Sequence, residues 1–115
     1  GGFSAVHQFV RIGAHAMTAM CSMVVADVPP FVKCQDQPAA GRTMNFEGLR
    51  RRGFSSERLA VVKRMHKALY REDLTLEQAR DRIATLADGL PEAEPDVQLM
   101  LDFLAAVPAQ RGIVR

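Results

Sequence analysis

At 115 residues and 48% hydrophobic, the chain is long enough to bury about two-thirds of its unfolded surface in one domain. A formal net charge of +2 gives no electrostatic ground for binding nucleic acid, and two cysteines make no disulfide framework. No apolar run approaches the ~18 residues of a membrane span, and no basic segment leads into an apolar one as in a secretory signal. The expected setting is cytoplasmic, with Cys21 and Cys34 as reduced thiols.

The first element has an unusual period. Between Val6 and Val28 neither the helical interval of 3.6 nor the strand interval of 2 fits the apolar positions. A step of six does. Val6, Ile12, Thr18 and Val24 form one series, mostly branched; Val10, Ala16, Ser22 and Val28 form a second, mostly small. Hexapeptide self-similarity marks a parallel β-helix, in which short strands form flat faces and corners recur every sixth residue. Small residues suit the inward positions near corners because coils stack about 4.8 Å apart. Residues 1–36 make about two such coils, starting partway through a repeat, where a self-sustaining stack needs about three. Further coils are therefore expected before Gly1, where the chain opens without a Met.

Pro29-Pro30 lacks the backbone donors of a ladder and predicts the end of the repeat. Phe31 to Thr43, with Pro38 and Gly41, reads as an irregular exit, its loop proper at 37–44. Helical periodicity then takes over in a domain spanning 45–115. Asn45 suits the N-cap of a short helix through Arg52, with Gly53 beyond its end. Ser55 caps a longer helix to about Arg71, with Leu59, Val62, His66 and Leu69 on one face. Thr75-Leu76-Glu77-Gln78 is a capping box opening a third helix that Gly89 ends. Pro95 suits the first position of a fourth, whose inner face is Val97, Met100, Leu101 and Leu104.

Charge separates along the helical part. Gly48 to Arg71 holds eight Lys/Arg and one acid, whereas Glu72 to Asp102 holds nine acids and two bases. The near-neutral total thus hides a dipolar chain. Arg50-Arg51-Arg52 closes a helix, where cations are favoured by the dipole, and a solvated basic end accounts for it as well as a phosphate site does. His15 and His66 read as structural, with no ligand spacing for a metal.

Four stretches carry a family resemblance: GGFSAVHQFVRIGAHAM, DVPPFV, MNFEGLRRRGFS and the terminal RGIVR. Together they resemble the C-terminal portion of the acyl-carrier-protein–UDP-N-acetylglucosamine O-acyltransferases that begin lipid A synthesis. VHQF and NFEGLRRRGF carry the specificity; hexads and DVPP occur throughout hexapeptide acyltransferases. At Gln35-Asp36-Gln37-Pro38 the chain departs from the family pattern. The resemblance implies a left-handed parallel β-helix followed by a small α-helical domain, in a homotrimer with active sites between subunits. It implies transfer of a 3-hydroxyacyl group from acyl carrier protein to the 3-hydroxyl of UDP-N-acetylglucosamine. The phosphopantetheine comes with the carrier, and the protein binds no cofactor of its own. The general-base histidine lies upstream of these residues in the family, so this chain alone is expected to be inactive.

Site residues follow from the same resemblance. His7 supports activity, Gln8 contacts the UDP-sugar, Asn45 and Glu47 hydrogen-bond the uridine portion, and Arg51 and Arg52 lie near the diphosphate. Gly2, Met17 and Met20 line the acyl pocket. Met20 stands where the family carries a pocket-floor glycine, so a chain of about ten carbons is expected over one of fourteen. The basic residues Arg58, Lys63, Arg64, Lys67 and Arg71 read either as a solvated face or, an acyl carrier protein being acidic, as its docking surface. Two alternatives stay open on sequence: a non-catalytic trimerisation or carrier-binding module, and the related N-acyltransferase of the same pathway.

Overall fold

Short strands return to the same column at a nearly fixed interval. The computed structural model describes residues 5–6, 10–19, 23–24, 26–35, 40–108 and 112–115. Strand β1 (Ala5–Val6) pairs in parallel with β3 (Met23–Val24), setting Val6 against Val24, 18 residues or three hexads later. Ile12 then bridges Val28, and β2 (Met17–Thr18) pairs in parallel with β4 (Val32–Gln35), setting Thr18 against Cys34. These intervals are 16. The second winding is therefore two residues shorter between Val24 and Val28, and Val28 stands in the column of Ile12, not that of Val10. Val24 and Val28 are buried, while the residues they stack on, Val6 and Ile12, are exposed.

Pro29-Pro30 does not end the repeat. The ladder steps around both prolines: Val28 N donates to Arg11 O (2.8 Å), Gly13 N to Val28 O (2.7 Å) and Phe31 N to Ala14 O (2.9 Å). The prolines occupy a corner, where no donor is required, and β4 resumes the pairing beyond it. Pro30 lies directly on Gly13, at which a Cβ would sit 2.3 Å from Pro30 N. His15 and Phe31, 16 residues apart, repeat the same corner conformation at φ +60° and +71°, and their rings stack at 5.7 Å and 6°.

The exit is also more regular than its composition suggests. Of the loop expected over 37–44, residues 37–39 lie outside the described residues and the rest is β5 (Ala40–Met44), antiparallel to β4, with Val32 against Met44 and Gln35 against Ala40. A returning strand covers the second edge of β4, which would otherwise present unpaired backbone groups. The tail closes another edge: Asp27 bridges Ile113, and Val114 N donates to Asp27 O at 2.8 Å. Asp27 is fully buried, accepting from Arg11 N at 2.9 Å, while the Arg11 guanidinium donates to Phe103 O and lies 4.2 Å over the Phe103 ring.

Four helices follow: α1 (Phe46–Arg51), α2 (Ser56–Tyr70), α3 (Leu76–Ala84) and α4 (Glu94–Ala105). Ser55 caps α2 by accepting from Arg58 N, and the Thr75/Gln78 capping box forms on both sides. Helix α3 stops five residues before Gly89, because the Thr85 hydroxyl donates to Arg82 O and the chain tightens into turns there. A 3₁₀ turn at Pro91–Ala93 leads into α4, placing Pro95 second in that helix, not first. The inner face of α2 is Val61, Val62, Met65, Ala68 and Leu69, so Met65 takes the centre expected for His66, which is half-buried. These residues share one buried cluster with Val24, Val28, Phe31, Val32 and Cys34 of the coils. No helix among the described residues is long and apolar enough to cross a membrane.

Candidate functional site

Helix α1 is short, and its seating on the coils comes from backbone and side-chain bonds to one corner. Asn45 N donates to Phe31 O (2.6 Å), and Leu49 is fully buried beneath the helix. Gly53, at φ +86°, reverses the chain after Arg52, with Gly53 N donating to Arg50 O. Phe54 then packs edge-on against both His15 (5.6 Å) and Phe31 (6.2 Å).

Asn45 occupies the N-cap position without capping α1 through its side chain. Its Nδ2 instead donates to His15 O at 3.2 Å. The amide has room to do so only because residue 48 is glycine: a Cβ there would lie 2.6 Å from Asn45 Nδ2. Glu47 and Arg51 pair across one turn at 2.6 Å, with both side chains about three-quarters exposed. Arg52 turns back to the coil, its Nη1 lying 2.8 Å from His15 Nδ1. The structure thus brings Asn45, Glu47, Arg51 and Arg52 to one short helix beside the corner of His15 and Phe31.

Behind that corner, Arg58 gives Asp96 two hydrogen bonds of 2.9 Å, and its guanidinium lies 3.6 Å over Phe54. Asp96 is only 5% exposed. Arg58 is therefore part of the packing and leaves the docking face expected of it; Lys63, Arg64, Lys67 and Arg71 remain exposed. Arg64 and Lys67 line a cleft of about 250 Å³ with Leu86, Glu72 and Arg82, the last two paired at 3.0 Å.

Met17 is 45% exposed on β2. Gly2, His7, Gln8 and Met20 lie outside the described residues, as do Cys21 and residues 36–39. His15, which reads from sequence like any structural histidine in a repetitive coil, is the coil residue that Arg52 and Asn45 both contact. Its only signal was position: 16 residues before Phe31, at a corner where NFEGLRRRGF returns.

Stacked short parallel strands, closed by helices and carrying Arg51 and Arg52 at a helix end, define a coil-and-cap protein. The profile described as UDP-N-acetylglucosamine O-acyltransferase, domain 2, matches residues 27–114. The chain belongs to that family. It is 67% identical, over its whole length and 44% of the relative's, to the acyl-[acyl-carrier-protein]–UDP-N-acetylglucosamine O-acyltransferase of Albidiferax ferrireducens. The enzyme of the same name from Verminephrobacter eiseniae is 52% identical over the whole chain and 43% of the relative. Among solved structures, the UDP-N-acetylglucosamine O-acyltransferase of Moraxella catarrhalis superposes with a TM-score of 0.89 at 34% identity, covering all of this chain and 42% of that one. The chain spans less than half the length of the relatives it matches.

Proposed function

We propose that this chain forms the last coils and helical cap of a left-handed parallel β-helix enzyme that acts as a cytoplasmic homotrimer. The reaction moves a 3-hydroxyacyl group from acyl carrier protein to UDP-N-acetylglucosamine, the first step of lipid A synthesis. The sugar's 3-hydroxyl oxygen bonds to the thioester carbonyl carbon, the carbon–sulfur bond breaks, and the phosphopantetheine thiol leaves. A histidine upstream of Gly1 removes the hydroxyl proton, which the thiol finally carries, with His7 in support. Gln8, Asn45 and Glu47 hold the nucleotide sugar, and Arg51 and Arg52 hold its diphosphate. The observation that supports this reading best is the convergence of Asn45, Glu47, Arg51 and Arg52 on one anchored helix end. The carrier protein docks on the exposed cations of α2.

A split in Michaelis constants tests both assignments on the full-length protein. Arg52→Ala is expected to raise the KM for UDP-N-acetylglucosamine about tenfold to a hundredfold, as for a lost charge-assisted hydrogen bond. Reversing Arg64 and Lys67 to Glu is expected to raise chiefly the KM for the acyl carrier protein. An Arg52→Ala enzyme with the parent's sugar-nucleotide KM overturns the diphosphate assignment, and an unchanged carrier KM in the double reversal overturns the docking face.

Acyl length is assigned to Met20, a residue of four heavy atoms beyond Cα where the family carries glycine. A side chain that long fills about four methylenes of a groove, each worth about 0.8 kcal/mol when buried. In competition between ten- and fourteen-carbon carrier substrates, Met20→Gly is expected to move the preference toward fourteen. An unmoved ratio ends the idea.

A further inference from the structure

We infer that His15 is a positioning residue for the sugar-nucleotide site, holding Arg52 and Asn45 in place from the coil corner. This rests on the reading of Arg52 as a diphosphate ligand and extends it to a residue that acts through Arg52. Four observations meet at His15. Its Nδ1 lies 2.8 Å from Arg52 Nη1, and its carbonyl accepts from Asn45 Nδ2 at 3.2 Å. Its ring is fixed on one side by stacking against Phe31 and on another by the edge contact with Phe54. Its backbone sits at φ +60°, a left-handed conformation that a residue with a β-carbon keeps only where the surroundings impose it.

The protonation state agrees with the geometry. Burial, and then the Arg52 charge, lower the His15 pKa from 6.5, with Arg58 adding to the effect and Asp96 opposing it. The ring is thus neutral at physiological pH. Since a guanidinium only donates, Nδ1 is the acceptor and the ring proton resides on Nε2. An arginine on a flexible stem loses much rotamer freedom when it grips a ligand; one already tethered at 2.8 Å has given up part of that freedom beforehand. Such preorganisation appears in affinity with no added contact to the ligand.

The test is calorimetric titration of UDP into the full-length protein. His15→Phe keeps a ring to stack on Phe31 and removes the acceptor. His15→Asn restores an acceptor at the same distance from Cβ and tolerates positive φ. His15→Phe is expected to weaken UDP binding about fivefold, as for loss of one hydrogen bond. His15→Asn is expected to recover most of that loss, and His15→Phe is expected to have no further effect in an Arg52→Ala background. An equal loss in both backgrounds, or no recovery with Asn, overturns the inference and leaves His15 a folding residue. Unaltered binding by His15→Phe, beside weakened binding by Arg52→Ala, overturns the inference alone. Unaltered binding by Arg52→Ala removes the diphosphate reading and this inference with it.

Discussion

Gly13→Ala is expected to destabilise the full-length protein by about 3 kcal/mol or more, the upper range for an overpacked site. A Cβ at Gly13 would meet three atoms of Pro30 within 2.7 Å, including backbone N at 2.3 Å and ring Cδ at 2.6 Å. Neither atom belongs to a flexible side-chain end that could swing away. Moving Pro30 would pull on the hydrogen bonds flanking it, from Gly13 N to Val28 O and from Phe31 N to Ala14 O. Separating the two windings there would also expose Val28 and Phe31, both fully buried. Gly53→Ala is the control. It places a Cβ in open space, so only the left-handed backbone at φ +86° opposes it, for about 1–2 kcal/mol. Urea denaturation of the two variants should therefore give a clearly lower midpoint for Gly13→Ala, with unchanged slopes. Equal midpoints would falsify the corner-stacking account.

That contact also shows where sequence reading stopped. The step of six is legible through Val24 because three even hexads bring Val24 back against Val6. It is illegible where the second winding drops two residues, since counting by six puts Val28 in the series of Val10 and only the bridge to Ile12 moves it to the other. Pro29-Pro30 reads as a ladder breaker from composition, yet at a corner the missing donors cost nothing. Strand β5 was hidden for a related reason: Ala40-Gly41-Arg42-Thr43-Met44 has little strand propensity, and the open edge of β4 organises it. Local signals fared better where the chemistry is local. Ser55 and the Thr75/Gln78 box cap their helices by bonds that span three residues.

The candidate site divides along the same line. The α1 motif is contiguous, so its four residues stand together in the sequence as in space. What anchors them is distant in sequence: His15 is 37 residues from Arg52, and Asp96 is 38 from Arg58. Charge alone puts Arg58 on an outward basic face with Lys63, Arg64, Lys67 and Arg71, because nothing in a single helix reports a partner on another. The acidic half of the chain therefore does more than balance charge; one of its carboxylates reaches under the basic helix.

Asp96→Leu should expose how much that carboxylate matters, with a loss of about 3 kcal/mol, at the lower end for breaking a buried pair from one side. The low end applies because Arg58 is 27% exposed and can recover some hydration, whereas the Asp96 side chain is 6% exposed. Asp96 also sits in the first turn of α4, where a negative charge is favoured by the helix dipole. The pair as a whole is a different matter. Two ions leave water to form it, and a well-packed apolar replacement of both is often neutral. Arg58→Met with Asp96→Leu is thus expected to recover most of the stability that Asp96→Leu loses, a coupling measurable as a double-mutant cycle in urea. Ligand binding should separate the two roles. Arg58 lies 3.6 Å over Phe54, whose ring meets His15 edge-on, so the pair also backs the corner that carries Arg52. The double variant, stable but without the guanidinium on Phe54, should bind UDP about two- to fivefold less tightly than the parent, as for a lost exposed cation–π contact of about 0.5–1 kcal/mol. Parent-like affinity in a refolded double variant would confine the Arg58–Asp96 pair to holding α2 against α4.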